Sequence, residues 1–245
     1  RYISVTGVQT CALPICGTCD VMIDTGMNRL GLDHHADFTA LLDGVRPVNL
    51  LSHLACADQD HDLNALQLDR FRSLRASVSA ERYSLSNSAG ICLGRDYHFD
   101  LTRPGIALYG GIPRESAIGH IHQVVTPQAQ ILQRRLIKAG DSVGYNATWT
   151  APTDVEAAIL NIGYADGYLR GFSNAGRALI GGVELPVRGR VSMDLLIIDC
   201  TAAPHLHEGD WVDIAYDLPE QSLLSGLSQY ELLTGLGKRF DRVWL

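Results

Sequence analysis

The chain has 245 residues, 46% of them apolar and 19% charged, with a formal net charge of −7. That length can bury one large core or two modest ones, and an acidic balance without a Lys/Arg block argues against nucleic acid as a partner. No apolar run approaches the ~18 residues of a membrane span and no signal-peptide pattern opens the chain, so no membrane association and a cytoplasmic location are expected.

The opening string Val5-Thr6-Gly7-Val8-Gln9-Thr10-Cys11-Ala12-Leu13-Pro14-Ile15 reads as an in-frame translation of a common sequencing-adapter oligonucleotide. Residues 1–16 are therefore expected to be an artefactual scar joined to a truncated gene and to stand outside the fold. Six cysteines, at positions 11, 16, 19, 56, 92 and 200, include a single CxxC at Cys16 and Cys19. With no second such pair and no histidine pair at zinc spacing, free thiols and no metal are expected.

From 17 to 122 short apolar runs alternate with helical patterns. Val21-Met22-Ile23, Val48-Asn49-Leu50-Leu51 and His98-Phe99-Asp100-Leu101 read as strands. Between the last two, Leu63, Leu66, Phe71, Leu74 and Val78 recur on one helical face. Such alternation predicts an α/β arrangement with parallel strands, and the span suits roughly half of a barrel that needs ~250 residues when complete. From 123 to 245 the pattern is β-rich. Strands are expected at 155–162, 177–180, 183–187, 195–199 and 211–215, with a hairpin at Gly181-Gly182 and a short helix over 229–237. The junction is expected near Gly119 to Val124.

Several stretches carry chemistry. In Asp100-Leu101-Thr102-Arg103-Pro104-Gly105-Ile106-Ala107-Leu108-Tyr109-Gly110, an arginine precedes Pro-Gly and an apolar run, a weak phosphate-site signal. In Asp24-Thr25-Gly26-Met27-Asn28-Arg29-Leu30-Gly31, Arg29 follows a strand. It reads as a surface arginine on a turn or as a bidentate carboxylate ligand. His53, in Leu51-Ser52-His53-Leu54-Ala55-Cys56-Ala57-Asp58, follows the next strand and by itself reads as a structural histidine. Asn87-Ser88-Ala89 reads as a helix cap, compatible with anion binding. Tyr145, in Ser142-Val143-Gly144-Tyr145-Asn146-Ala147-Thr148-Trp149, reads as a strand aromatic. Asn161-Ile162-Gly163-Tyr164-Ala165-Asp166-Gly167-Tyr168-Leu169-Arg170 and Gly189-Arg190-Val191-Ser192-Met193-Asp194 read as loops between strands, and Gln229-Tyr230-Glu231-Leu232-Leu233-Thr234-Gly235 as a helix.

In this order, these strings resemble the alanine racemases, which depend on pyridoxal 5′-phosphate. The resemblance covers residues 19 to 245. It implies the C-terminal half of a (β/α) barrel as the cofactor domain, followed by a β-rich C-terminal domain. The implied activity interconverts L- and D-alanine through a pyridoxal phosphate aldimine with two bases, supplying D-alanine for cell wall.

By the same resemblance, Tyr145 is one base, and Arg29, Tyr164 and the Met193 backbone bind substrate. His53 packs by the cofactor ring. Asn87, Ser88, Tyr230 and the Gly105 and Ile106 amides surround the cofactor phosphate. Arg103 faces the ring nitrogen, where a guanidinium cannot accept a proton and so restrains carbanion delocalisation, which suits a racemase. Asp58, Arg170 and Arg190 line the entrance corridor. A phenol needs cationic or hydrogen-bonding neighbours to act as a base near neutral pH. Arg29 and His53 are expected to supply them to Tyr145 across a homodimer interface.

The match departs at Met22, where many relatives carry a modified lysine that buttresses the arginine. The family's cofactor lysine, which is also the second base, stands in a Lys-Ala-rich motif. The two lysines here, Lys138 and Lys238, have no such context. The chain is therefore expected to lack the first four or so barrel strands and to be inactive alone. A racemase of broader specificity and a catalytically silent fragment remain the alternatives.

Overall fold

The computed structural model describes residues 19–244, so the expected scar at 1–16, and with it Cys11 and Cys16, lies outside the described residues. The chain divides into two compact units, one reaching to Gly105 and including Pro113–Ile118, the other holding Ile106–Ile112 and everything from Gly119.

Among the described residues the first unit holds four strands: β1 Cys19–Asp24, β2 Leu32–Asp33, β3 Pro47–Leu51 and β4 Arg82–Ser84. All pair in parallel, in the order β2-β1-β3-β4. The connections run through α1 Phe38–Leu41 and α2 Asp62–Ser77, while α3 Ser88–Ile91 follows β4. Parallel strands with helical crossovers are the partial barrel expected. The strands bury one face of their alternating pattern, with Val21, Ile23 and Leu50 packed against Phe71 and Leu74 of α2.

Two expectations need correction here. Leu66, placed on the buried helical face, is exposed, and polar Asn64 and Gln67 lie buried on α2 instead. They are tolerated there because their amide N–H groups are hydrogen-bonded inward. Asn64 donates to the Cys56 and Gln59 carbonyls. Gln67 donates to Thr25 Oγ1 and the His53 carbonyl and accepts from the Ala55 N–H. The stretch 98–101 is not a strand; the strand that pairs with β3 is β4 at Arg82–Ser84, which was not expected from the sequence. Phe99 sits at φ 50, outside the extended region. The Asp100 carboxylate accepts the Tyr83 N–H where a ladder would offer a carbonyl.

The second unit is antiparallel. It contains β5 Gln128–Ile137, β6 Ser142–Val143, β7 Trp149–Thr150, β8 Val155–Leu160, β9 Arg177–Ile180, β10 Val183–Pro186, β11 Leu196–Asp199 and β12 Trp211–Ile214. Six of these form one sheet in the order β10-β9-β12-β5-β8-β11, and β6 pairs with β7. The β9–β10 turn is Gly181-Gly182 at φ 55 and 83, the doubly left-handed turn whose twist suits a tight hairpin. The helices α4 Leu218–Ser225 and α5 Gln229–Gly235 complete the unit.

The longest strand, β5, was not expected from the sequence. Its residues, rich in Gln and Arg, do not alternate cleanly, because the register with β8 shifts between Ile131 and Gln133. Ile106–Ile112 joins this unit, earlier in the chain than the expected junction. The Gln229 side chain accepts from the Ile112 N–H at 2.8 Å and donates to its carbonyl at 3.1 Å.

Candidate functional site

In a parallel α/β unit the carboxyl ends of the strands share one edge, and functional loops gather there. In the first unit that edge is built on hydroxyls. Thr25 follows β1, Ser52 follows β3 and Ser84 ends β4, and all three are buried. Thr25 Oγ1 and Ser52 Oγ are 2.8 Å apart, and Gln67 donates to Thr25. Sequence reasoning passed over this network. The signal available was a hydroxyl residue at the end of each of these strands.

Arg103 is anchored on that network. Its guanidinium donates to Ser84 Oγ and to the Ser52 carbonyl, and its backbone N–H to the Ser86 carbonyl at 2.9 Å. Burial lowers its pKa from the ordinary arginine value. A guanidinium starts so high that it remains a cation and a donor only.

His53 is half-buried, with Nε2 3.4 Å from the Asn87 side-chain amide. Burial first, then the charges of Arg103 and Arg29, hold its pKa below the ordinary value, so the neutral imidazole is favoured. His53, Arg103 and Arg29 thus share one electrostatic environment, although Arg29 itself is exposed.

The loop carrying Arg29 is organised by Asp24. The carboxylate accepts the backbone N–H groups of Gly26, Met27 and Arg29 at 2.8, 2.9 and 3.0 Å. Burial pushes the Asp24 carboxyl up, but these donors, with Asn28, outweigh it and hold it below its ordinary value. Met22 is half-buried on β1 and offers no charge, so the fixed element of this loop is Asp24.

Asn87 caps α3, accepting the Gly90 N–H at 2.8 Å, and Ser88 Oγ accepts the Gly105 N–H at 2.8 Å. Ser88 and Gly105, both expected at one phosphate, therefore lie together but are bonded to each other. A side chain added at Gly105 would meet no atom within 4 Å, so the backbone faces open space. Asp58 is exposed on a turn pinned by Arg114, which donates to the Ala57 carbonyl and pairs with Asp60. Ile106 is buried and opens a 3-10 turn over Ile106–Tyr109. That turn packs against α5, which carries Tyr230, 53% exposed.

In the second unit three loops converge. Tyr145, 63% exposed, begins a 3-10 turn between β6 and β7, where Asn146 and Ala147 are left-handed at φ 63 and 47. Alanine has no side-chain oxygen to ease that conformation, and backbone strain of this kind gathers at functional sites. Gly189 lies so close to this hairpin that a Cβ would sit 2.7 Å from the Val143 carbonyl oxygen, which places Arg190 beside it. The Tyr164 N–H donates to Ser192 and the Ala165 N–H to the Met193 carbonyl, at 3.0 and 2.9 Å. The Arg170 guanidinium lies 5.1 Å from the centre of the Tyr164 ring. Buried Asp166 went unnoticed in the sequence. It accepts the Gly163 N–H at 2.9 Å and pairs with Arg239, which also holds Asp194.

Among the described residues one group, Asp33, His34 and His35, brings three potential metal-ligand atoms within 4.8 Å of one another. His34 Nδ1 lies 3.1 Å from the Asp24 carbonyl oxygen.

Two family models match the chain: "Alanine racemase, N-terminal domain" over residues 16–113 and "Alanine racemase, C-terminal domain" over 124–244. The alanine racemase of Rhizobium meliloti is 39% identical, with 93% of this chain and 66% of that protein covered. The catabolic alanine racemase of Agrobacterium fabrum is 42% identical, with 93% and 62% covered. The chain therefore spans somewhat less than two thirds of the length of these relatives. Among solved structures, the alanine racemase of Bartonella henselae with covalently bound pyridoxal phosphate superposes with a TM-score of 0.83 at 37% identity, covering 93% of this chain and 66% of that one. The biosynthetic enzyme of Pseudomonas aeruginosa gives 0.82 at 35%, covering 96% and 68%.

Proposed function

The chain belongs to the alanine racemase family, and from that premise we propose that it serves the interconversion of L- and D-alanine with pyridoxal 5′-phosphate as cofactor. The observation that carries this reading is Arg103, a cation fixed by Ser52 and Ser84 at the carboxyl ends of β3 and β4. When bound, pyridoxal phosphate supplies an electron-withdrawing ring that acidifies the substrate α-proton. The residues present fit such a group: a donor-only partner for a ring nitrogen, and open space beside Gly105 next to Ser88.

In this reading Asn87, Ser88, Gly105, Ile106 and Tyr230 hold the phosphate. Neutral His53 packs by the ring, and Arg103 keeps the ring nitrogen from taking a proton. That restraint favours returning the proton to the carbon it left over decarboxylation or amino transfer. Arg29 and the Met193 backbone hold the substrate carboxylate, Tyr164 lines its position, and Asp58, Arg170 and Arg190 line the entrance. Tyr145 moves the proton on one face of the α-carbon. Its exposure on a strained turn, with Met193 54% exposed, suits a site completed by a second subunit, so we read the protein as a homodimer. Free thiols at Cys19, Cys56, Cys92 and Cys200 suit a cytoplasmic location. No described helix is long and apolar enough to cross a membrane.

Neither lysine is assigned the covalent bond to the cofactor. Lys138 pairs with Asp154 at 2.8 Å on the surface, and Lys238 is exposed near the C-terminus. Titrated with pyridoxal phosphate, the chain should show no tight, saturable one-to-one aldimine absorbance of the kind a built lysine site gives, and with L-alanine it should form no D-alanine. Fused to the part of the Rhizobium meliloti relative that it does not span, it should form D-alanine. A folded fusion without racemisation would overturn the proposal, and racemisation by the unfused chain would overturn the lysine assignment.

A further inference from the structure

The loop after Arg170 touches both segments that carry the second unit's candidate residues. Asn174 adopts the left-handed conformation, φ 58, which aims its side chain back across the neighbouring loop. Its Oδ1 accepts the Gly189 N–H at 2.6 Å, and Ser173 Oγ accepts the Val191 N–H at 3.1 Å. Two consecutive side chains thus take alternate N–H groups of a segment that flanks Arg190 and leads into Met193. Asn174 Nδ2 also reaches Thr148 Oγ1 at 3.5 Å, on the far side of the Tyr145 turn. Gly189, at φ 76, is itself packed on the Val143 carbonyl, and a Cβ at Gly144 would stand 3.3 Å from the Arg190 nitrogen. The Tyr145 turn has little support of its own: its hairpin has two-residue strands, and Asn146 and Ala147 are both left-handed.

We propose that Ser173 and Asn174 form a clamp that positions Tyr145 and Arg190, with Asn174 as the positioning residue joining the 142–150 hairpin to the 187–193 loop. The inference rests on the reading of Tyr145 as a proton-transfer group, and it adds the residues that fix where that group stands. Asn174 touches no candidate substrate position itself and acts through Gly189 and Thr148. Aspartate can replace it in part, because Asp tolerates left-handed backbone and keeps the oxygen Gly189 needs. Glycine keeps the backbone and removes the clamp.

The test uses the full chain with fluorotyrosine incorporated, the Tyr145 resonance being identified by its loss in Tyr145→Phe. In Asn174→Gly, amide exchange at Gly189 and across 143–149 should quicken roughly tenfold, as expected for losing a hydrogen bond of ordinary net worth, and the Tyr145 resonance should shift. Asn174→Asp should restore protection at Gly189 and return the resonance towards its original position. Faster exchange confined to Gly189 with an unmoved Tyr145 resonance would overturn the proposal. So would an Asn174→Asp variant as altered as Asn174→Gly. Neither readout uses turnover, so a failure of the racemase reading and a failure of the clamp are told apart.

Discussion

Asp24 and His53 show how neighbouring side chains set the charge state of a loop edge. The Asp24 carboxyl is held low by the backbone donors of its own loop, so its contribution to stability is present above the unfolded carboxylate value near 3.8 and is lost as pH falls below it. Asp24→Asn should remove that acid-side dependence and speed amide exchange at Gly26, Met27 and Arg29. An unchanged exchange pattern would mean that the loop holds itself. His53 shifts downward for a different reason: burial and two cations disfavour its charged form. The unfolded histidine takes its proton near 6.5 while the folded one resists. The stability present above 6.5 therefore declines as pH falls from there towards the folded value. Titration of the ring by NMR should give a midpoint below 6.5, and a midpoint above it would remove Arg103 and Arg29 from its surroundings.

Helix α2 illustrates why an element's pattern is read more easily than its polar exceptions. Phe71 and Leu74 give the period, but Gln67, fully buried, ties the helix to the ends of β1 and β3. Gln67→Leu keeps the volume and strands the Ala55 N–H and the His53 carbonyl, while the Thr25 hydroxyl keeps its bond to Ser52. Denaturant unfolding should show a loss of about 2–3 kcal/mol, the cost of unpaired buried groups. A neutral substitution would mean that those groups find other partners. β4 and β5 carry a related lesson. The sequence hid β4 because three residues give too short a run to show alternation, and hid β5 because a register shift breaks its period. The strands β8 to β12 were legible because each carries a short, mainly apolar or alternating run.

The two units differ in how much backbone they protect. Among the described residues the first has four strands, one of them two residues long at a sheet edge. The second closes a six-stranded antiparallel sheet over a core containing Ile131, Leu160, Phe172, Leu185 and Ile198. Slow amide exchange should therefore concentrate in β5, β8, β9, β11 and β12, with β1 to β4 opening at lower free energy. Equal strong protection in both units would contradict this.

Residue order alone carried the family resemblance, the parallel-then-antiparallel sequence of strands and the identity of the candidate site residues, because motif strings and alternating burial are local properties. What only tertiary structure decided is how those residues are held. Arg103 rests on Ser52 and Ser84, 51 and 19 residues away. Gly105 is bonded to Ser88, and Asn174 reaches Gly189. Each of these is a hydrogen bond between groups far apart in the chain. Its partner is chosen by which loops the sheets bring to the same edge, and no periodicity in the sequence records that choice.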